Sequence, residues 1–412
     1  MHGSAEASLG WSAMIDRPAS SDAFSTSRVT LLIVATKAHT IRHFLLPYAA
    51  HFRSLGWRVE AAASGATGDW SLGESFDRVY ELPLSRSLLD AGRLARGMRV
   101  LSEVLESRPD IVHVHTPIAA FLTRAAVRRM PAHHRPAVAY TAHGFHFHAG
   151  GNPLTNALFL TAERVAGRWT DRLIVINDED EAAARRHRLV PPSRLVHMPG
   201  IGVDTRVFSR SSIAPADILA ARERFGIPPD APLFIVVAEL SRRKRVGDAI
   251  AALALTRDRR AHLLLAGPGS ERAHLEKLAA DLRLRQRVHF AGFLQDVRSS
   301  LATATALILS SSREGLARSI MEALALEVPV IASTARGNRE LLAGDSGIVF
   351  DTGDVHALAA AMDWMIEHPD ERQAMGQRGR QRMVEQYDLH QLVQLHEALY
   401  REMLGERPPR AV

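Results

Sequence analysis

Two glutamates, Glu314 and Glu322, stand eight residues apart in the stretch Ser310–Leu342, SSSREGLARSIMEALALEVPVIASTARGNRELL. The pattern reads as a strand ending near Ser310, a polar loop through Glu314-Gly315-Leu316, and a helix carrying Glu322. Past Pro329 come another strand and the loop Arg336-Gly337-Asn338. A loop that enters a helix after a parallel strand presents free backbone N–H groups and the positive end of the helix dipole, a ready anion site. Gly315 lets the backbone approach a ligand closely. Carboxylates accept hydrogen bonds from hydroxyls, so a ligand with a phosphate and several hydroxyls fits: a sugar nucleotide. Two carboxylates eight apart lie on different faces of one continuous helix. They converge only if Glu314 sits in the loop and Glu322 in the early turns. A structural reading stands beside this one: Ser319-Ile-Met-Glu322 fits a capping box, and Glu314 suits a helix N-terminus.

Histidines mark the first half. His143-Gly144 follows a strand, and His146 and His148 alternate with Phe145 and Phe147. Two same-side histidines can bind a metal, but no carboxylate triad accompanies them. His113 and His115 in IVHVHTP sit at a strand end, His115 toward a ligand cleft and His113 toward packing. Asp178-Glu179-Asp180 has the form of a D-x-D metal motif and reads as the opening of a helix, with Asn177 or Asp178 as its N-cap. Other chemistries lose their support. There is no G-x-G-x-x-G after the first strand, no G-x-x-x-x-G-K-[ST], no G-x-S-x-G and no H-E-x-x-H. With no cysteine, thiolate catalysis, disulfides and Cys-ligated metals are excluded.

The elements that must position these groups come in two series. The chain has 412 residues, enough for two domains of roughly 150–200 each. Hydrophobic residues at 46% can support packed cores. Strand-length runs near 29–35, 58–63, 79–82, 111–115, 137–141 and 172–177 alternate with helical stretches, including one over 41–55. A Pro/Gly-rich pause over about 190–216 reads as an interdomain connection. A second series begins at 233–239 and runs through 262–266, 287–291, 306–310, 330–332 and 348–350 to long helices ending near 404. This alternation predicts α/β domains with parallel, helix-covered sheets, which bind ligands at the carboxyl ends of their strands. No apolar run reaches membrane-spanning length. Met1–Ser27 lacks the basic start and apolar core of a signal peptide and reads as a flexible leader, so a cytoplasmic location is expected. The net charge of +6 suits a diphosphate ligand or an anionic membrane surface and requires no nucleic acid.

The Ser310–Leu342 segment resembles the E-x7-E signature of family-4 retaining glycosyltransferases, whose fold is GT-B, with Glu314 and Glu322 at the two glutamate positions. Other landmarks follow in register. His-Met-Pro-Gly-Ile-Gly-Val-Asp204 with Phe208 resembles the family's P-x-G-V-D-x-x-x-F linker, with one extra residue. Ala238-Glu239-Leu240 with Lys244 resembles G-R-L-x-x-x-K, Gly267-Pro268-Gly269 the G-x-G turn, and Gly292-Phe293 the base-contacting turn. The resemblance covers about residues 28–404. REGL, RGNR and AHGFHFH look most like bacterial enzymes of capsule, exopolysaccharide or O-antigen synthesis.

The resemblance implies a role for each matching residue. Glu322 holds the ribose hydroxyls and Glu314 the donor-sugar hydroxyls. Backbone amides of Gly315, Leu316 and Ala317 meet the diphosphate or sugar, and Lys244 neutralises the departing diphosphate. Glu239 stands at the usual diphosphate-binding arginine position, where an anion would repel the phosphates, so either it points away or Arg242 or Arg243 supplies the charge. The preferred reading of Glu239 is a strand-end carboxylate paired with a neighbouring Arg. His143 stands near donor sugar and acceptor. Thr36, His39 and His115 lie on the acceptor side, where the basic loop Thr36–His43 replaces a Gly-rich one. Read from the residues, that loop with Arg93, Arg96, Arg99, Arg124, Arg128 and Arg129 either faces a lipid-diphosphate acceptor at a membrane surface or forms ordinary solvated helix faces.

The implied organisation is a leader (1–27), an acceptor-binding Rossmann-like domain (28–200), a donor-binding Rossmann-like domain (201–386), and a terminal helix crossing back (387–412). The implied reaction moves a hexosyl or N-acetylhexosaminyl group from a UDP-sugar to a glycan or polyprenyl-diphosphate-linked glycan, with retention and with neither metal nor cofactor. The expected location is cytoplasmic, peripheral at the inner face of the cell membrane. Two alternatives remain: a sugar-nucleotide 2-epimerase of the same fold, and a non-catalytic nucleotide-sugar-binding subunit.

Overall fold

The computed structural model describes residues 28–85, 90–148 and 150–406. The expected leader, 1–27, and the last six residues lie outside them. Seven parallel strands form the first sheet: β1 (Thr30–Lys37), β2 (Arg58–Ser64), β3 (Arg78–Glu81), β4 (Ile111–His115), β5 (Ala137–Ala142), β6 (Arg172–Val175) and β7 (Leu195–His197). Their order is β3-β2-β1-β4-β5-β6-β7. Six parallel strands form the second: β8 (Leu233–Val237), β9 (His262–Ala266), β10 (Val288–Gly292), β11 (Ala306–Leu309), β12 (Val330–Ser333) and β13 (Gly347–Phe350), ordered β10-β9-β8-β11-β12-β13.

The continuous apolar runs are explained by burial on both faces. In β1, Leu31, Ile33 and Ala35 enter one core, and Leu32 and Val34 enter the core on the opposite face. In the second sheet Phe234 and Val236 of β8 face one core, Leu233 and Ile235 the other.

Two expectations are corrected. The helix read over 41–55 is two helices, Ala38–Phe44 and Leu46–Ser54, broken at Leu45. Pro47 lies in the first turn of the second, where its missing N–H costs nothing. The region read as linker from 190 contains β7, a short edge strand among prolines that an alternation count cannot see.

The chain passes between the two sheets twice, and the two passages are hydrogen-bonded to each other. Val203 N donates to Tyr387 O (2.9 Å), and Leu389 N donates to Val203 O (3.0 Å). Asp388 caps the helix Leu389–Gly405 through His390 N (3.0 Å) and accepts from Thr205 Oγ1 (2.5 Å). That terminal helix buries Leu389, Val393, Leu399, Tyr400 and Met403 in the core of the first sheet. Among the described residues no helix is long and apolar enough to cross a membrane.

Candidate active site

Each sheet has one strand where the order reverses: β1 lies between β2 and β4, and β8 between β9 and β11. Loops leaving such strands diverge and open a crevice at the carboxyl ends. Loops at the carboxyl ends of both sheets, those after the switch-point strands among them, line one cleft of about 960 Å³. The first sheet contributes Thr36, His39, Thr116 and His143. The second contributes Glu239, Arg243, Lys244, Gly267, Phe293, Glu314, Gly315, Leu316, Ala317 and Glu322.

The two glutamates converge in the way their spacing demands. The helix after β11 spans Arg318–Ala325, so Glu314 lies in the loop and Glu322 in the second turn. The capping box does not form. The N-cap is Ala317, and Glu322 Oε1 instead accepts from Arg318 Nε, one turn earlier, at 2.7 Å. Burial pushes the Glu322 carboxyl above its ordinary range, and the Arg318 charge opposes that push. Glu314 Oε1 lies 2.6 Å from Lys244 Nζ and 3.7 Å from Arg243 Nη1. The Lys244 and Glu314 side chains are only 13% and 9% exposed, so the pair is largely desolvated.

Of the two arginines offered as replacements for the diphosphate-binding position, only Arg243 faces the cleft. Arg242 is turned outward and pairs with Glu271 at 3.4 Å. Glu239 lines the cleft and forms no ion pair among the described residues, against the expected pairing with a neighbouring arginine. Gly269 packs on the Leu240 backbone outside the cleft, beside Gly267 within it. Phe293 stands exposed at the rim.

On the opposite wall, Thr36 is buried, with its Oγ1 2.7 Å from that of Thr116. His143 is half-buried, and burial lowers its imidazole to about 4. His115 does not line the cleft. It lies behind His143, its Nδ1 3.0 Å from His143 Nε2. His146 reaches the cleft, while the His148 backbone is held by Asn156. Arg124, expected on a membrane-facing surface, is instead a core residue paired with Glu163 at 2.9 Å.

Two arginines not assigned a role from sequence hold the walls together. Arg318 Nη1 donates to the His43 carbonyl across the cleft. Arg336 Nη1 lies 2.7 Å from Asp180 Oδ1, and its Nη2 donates to Phe145 O (3.0 Å). Asp180 therefore serves the domain contact, with Asn177 capping its helix. The Arg318/Glu322 pair at i,i+4 is a signal readable in sequence. The Arg336–Asp180 contact joins segments 156 residues apart and is not.

The backbone closes tightly at the same place. A Cβ on Gly315 would stand 2.4 Å from the His143 carbonyl oxygen. One on Gly337, at φ +79°, would stand 1.6 Å from the Gly315 carbonyl oxygen. Gly315→Ala therefore pushes the Glu314 loop off the His143 wall. A displacement near 1 Å costs about 10²-fold in rate, so for the transfer that the resemblance implies, turnover is expected to fall by that order and UDP affinity to fall with it, because the Gly315–Ala317 amides expected to meet the diphosphate move too. Steady-state kinetics beside UDP calorimetry checks both losses.

Among the described residues, one group brings three metal-capable side chains within 4.8 Å of one another: Asp178, His197 and Glu340, outside the cleft where the two domains meet. Pairing accounts for part of the arrangement, while His197 Nε2 is buried with no hydrogen-bond partner among the described residues. Glu340 Oε2 accepts from Asp178 N (3.1 Å), and His197 Nδ1 lies 3.0 Å from Glu181. Burial pushes Glu340 up to about 7; the hydrogen bond from Asp178 N and the Arg382 charge oppose that push, and the Asp178 and Asp180 charges add to it. An acid raised above its unfolded value stabilises the fold while protonated, and that contribution is lost as pH rises through about 7. Glu340→Gln is expected to flatten the decline of melting temperature between about pH 5 and 8. An unchanged slope in scanning calorimetry would contradict this.

Two facing, doubly wound parallel domains with a terminal helix returning to the first make up the GT-B fold, and the matches that follow make its class glycosyltransferase. Residues 40–200 match the Glycosyl transferase 4-like domain, and residues 217–382 match Glycosyl transferases group 1. The chain is 34% identical over 355 residues to EpsD of Bacillus subtilis (strain 168), which bears a glycosyltransferase designation, covering 85% of this chain and 91% of that protein. It therefore belongs to the glycosyltransferase 4-like family. A further relative is the Escherichia coli UDP-Gal:alpha-D-GlcNAc-diphosphoundecaprenol alpha-1,3-galactosyltransferase, 26% identical over 61% of this chain and 65% of that one. Among solved structures, Anabaena Alr3699/HepE in complex with UDP superposes with a TM-score of 0.75 at 19% identity, covering 91% of this chain and 100% of that one.

Proposed function

We propose that the protein transfers a hexosyl or N-acetylhexosaminyl group from a UDP-sugar to a hydroxyl of a glycan or polyprenyl-diphosphate-linked glycan, with retention and without a metal. The carrying observation is the desolvated Lys244–Glu314 pair beside the Gly315-Leu316-Ala317 loop at the start of a helix. In this reading the pair supplies a cation for a diphosphate and a carboxylate for sugar hydroxyls at one strand end. Two of the proteins compared above support the nucleotide and the acceptor class: one was solved with UDP, and one is named for a diphosphoundecaprenol-linked acceptor.

In this reading Glu322 accepts from the ribose, Glu314 from the donor sugar, and Phe293 stacks on the base. Lys244 and Arg243 take the diphosphate charge as the anomeric C–O bond breaks. The acceptor oxygen, on the Thr36, His39 and His143 side, bonds to the anomeric carbon on the face the diphosphate leaves. Its proton passes to the departing diphosphate. The fixed walls exclude water and so limit hydrolysis. Arg93, Arg96, Arg99, Arg128 and Arg129 hold the protein at the inner face of a membrane, where a lipid-linked acceptor would lie.

Incubation with UDP-GlcNAc, UDP-GalNAc, UDP-Gal, UDP-Glc and GDP-Man, each with and without acceptor mixtures, should release UDP from at least one. Tight UDP binding with no release from any donor would overturn transfer, and release of GDP alone would overturn the choice of UDP. For the ribose contact, Glu322→Ala is expected to weaken UDP by about 10–100-fold, the range of a charge-assisted hydrogen bond. Unchanged affinity by calorimetry would contradict that assignment.

A further inference from the structure

His143 is held by a second histidine that no substrate can reach. His115 is 1% exposed, and its ring lies between those of His143 (centroids 5.2 Å apart) and His113 (4.1 Å). His113 is in turn fixed by Thr141 Oγ1 at 2.8 Å and by the Tyr400 hydroxyl of the terminal helix. The ring of His115 is therefore clamped, and its Nδ1 contact with His143 Nε2 at 3.0 Å is a fixed one.

The contact has a direction. Burial lowers both imidazoles, so both are neutral near pH 7, and the hydrogen bond contains a single proton. If His143 donated it, the remaining proton of His115 would sit on Nε2. That atom is fully buried and has no partner among the described residues. Orphaned buried donors are rarer than orphaned acceptors. The favoured arrangement has the proton on His115 Nδ1, donated to His143 Nε2. The proton of His143 then sits on Nδ1, which is paired with no described residue, on a side chain that lines the cleft.

We propose that His115 is a positioning residue that locks His143 as its Nδ1–H tautomer, so that His143 offers the substrates a hydrogen-bond donor and not a basic lone pair. This rests on the reading of His143 as a residue that touches substrate during glycosyl transfer. In that reaction His143 steadies a substrate hydroxyl oxygen, and the acceptor proton leaves by the diphosphate, not by the imidazole.

The test uses the full chain with [15N]histidine. Long-range 1H–15N correlation, with His143 assigned by loss of its signals in His143→Asn, should show Nδ1 protonated and Nε2 bare. His115→Leu should change that pattern and lower kcat by about 10–100-fold, with donor KM within about twofold. Asparagine can place its amide N–H where His115 carries Nδ1, so His115→Asn should restore both tautomer and most of kcat. Melting temperatures of the variants exclude unfolding as the cause. An Nε2–H tautomer in the unaltered protein overturns the proposal, as does His115→Leu with an unchanged pattern. A protein with no transfer activity but the expected tautomer, lost in the leucine variant, would refute the transfer reading and leave the positioning intact.

Discussion

Lys244→Ala is expected to lower turnover by about 10²–10³-fold, the loss seen when one preorganised donor is removed from developing transition-state charge. The size follows from its surroundings. Lys244 Nζ sits 2.6 Å from Glu314, and both side chains are largely out of water. In the proposed transfer the diphosphate leaving group gains negative charge as the glycosidic bond lengthens, so the cation is worth more late in the reaction than on binding. The ground-state contact is worth about 1.5–3 kcal/mol, and affinity for the donor falls less than kcat does.

Removing Lys244 also leaves Glu314 facing incoming phosphates with only Arg243, at 3.7 Å, to offset it. Lys244→Ala/Glu314→Gln should therefore bind UDP better than Lys244→Ala alone, while its kcat stays low because the cation is still missing. The two effects separate neutralisation of Glu314 from stabilisation of the leaving group, which a single variant cannot do. Turnover within threefold of the unaltered enzyme in Lys244→Ala would remove Lys244 from the mechanism.

What was legible in sequence follows from how local each signal is. The strands were readable because burial on both faces turns them into short continuous apolar runs, and Val29–Ala35 or Ile111–His115 cannot satisfy another pattern as well. The Glu314/Glu322 site was readable for the same reason: strand end, loop and helix are adjacent in the chain, so spacing alone states where the carboxylates must lie to converge. Arg336 and Asp180 cannot be paired from sequence, because their contact is made by two domains meeting and leaves no trace in either segment. Glu239 shows the limit inside the site. The departure from the family pattern was visible, but its lack of a pairing arginine depends on Arg242 turning outward toward Glu271. Surface charge was the least legible property. A helix with arginines near its end looks solvated whether or not one of them points inward.

Arg124 is that case, and it carries the largest expected effect on stability. It is 1% exposed, bonded to Glu163 Oε2 (2.9 Å), Thr170 Oγ1 (3.2 Å) and the Ala120 carbonyl (3.0 Å), with its guanidinium 4.3 Å over the Tyr140 ring. The Tyr140 hydroxyl donates to the other Glu163 oxygen at 3.0 Å, and burial holds that phenol well above its ordinary value. Breaking a buried pair by removing one partner costs about 3–5 kcal/mol, because the other charge is left uncompensated. Arg124→Ala should therefore lower the melting temperature by roughly 10 °C. Arg124→Met with Glu163→Met and Tyr140→Phe, which removes the charges and the hydroxyl together, should recover most of the loss, since an apolar replacement of a buried ion pair is often neutral. Binding to anionic vesicles by the folded Arg124→Ala variant should match the unaltered protein, because the guanidinium never reaches the surface. A melting point within about 2 °C of the unaltered protein would show that the pair is not coupled to the fold in this way. A loss of vesicle binding at full stability would show that Arg124 does reach the surface.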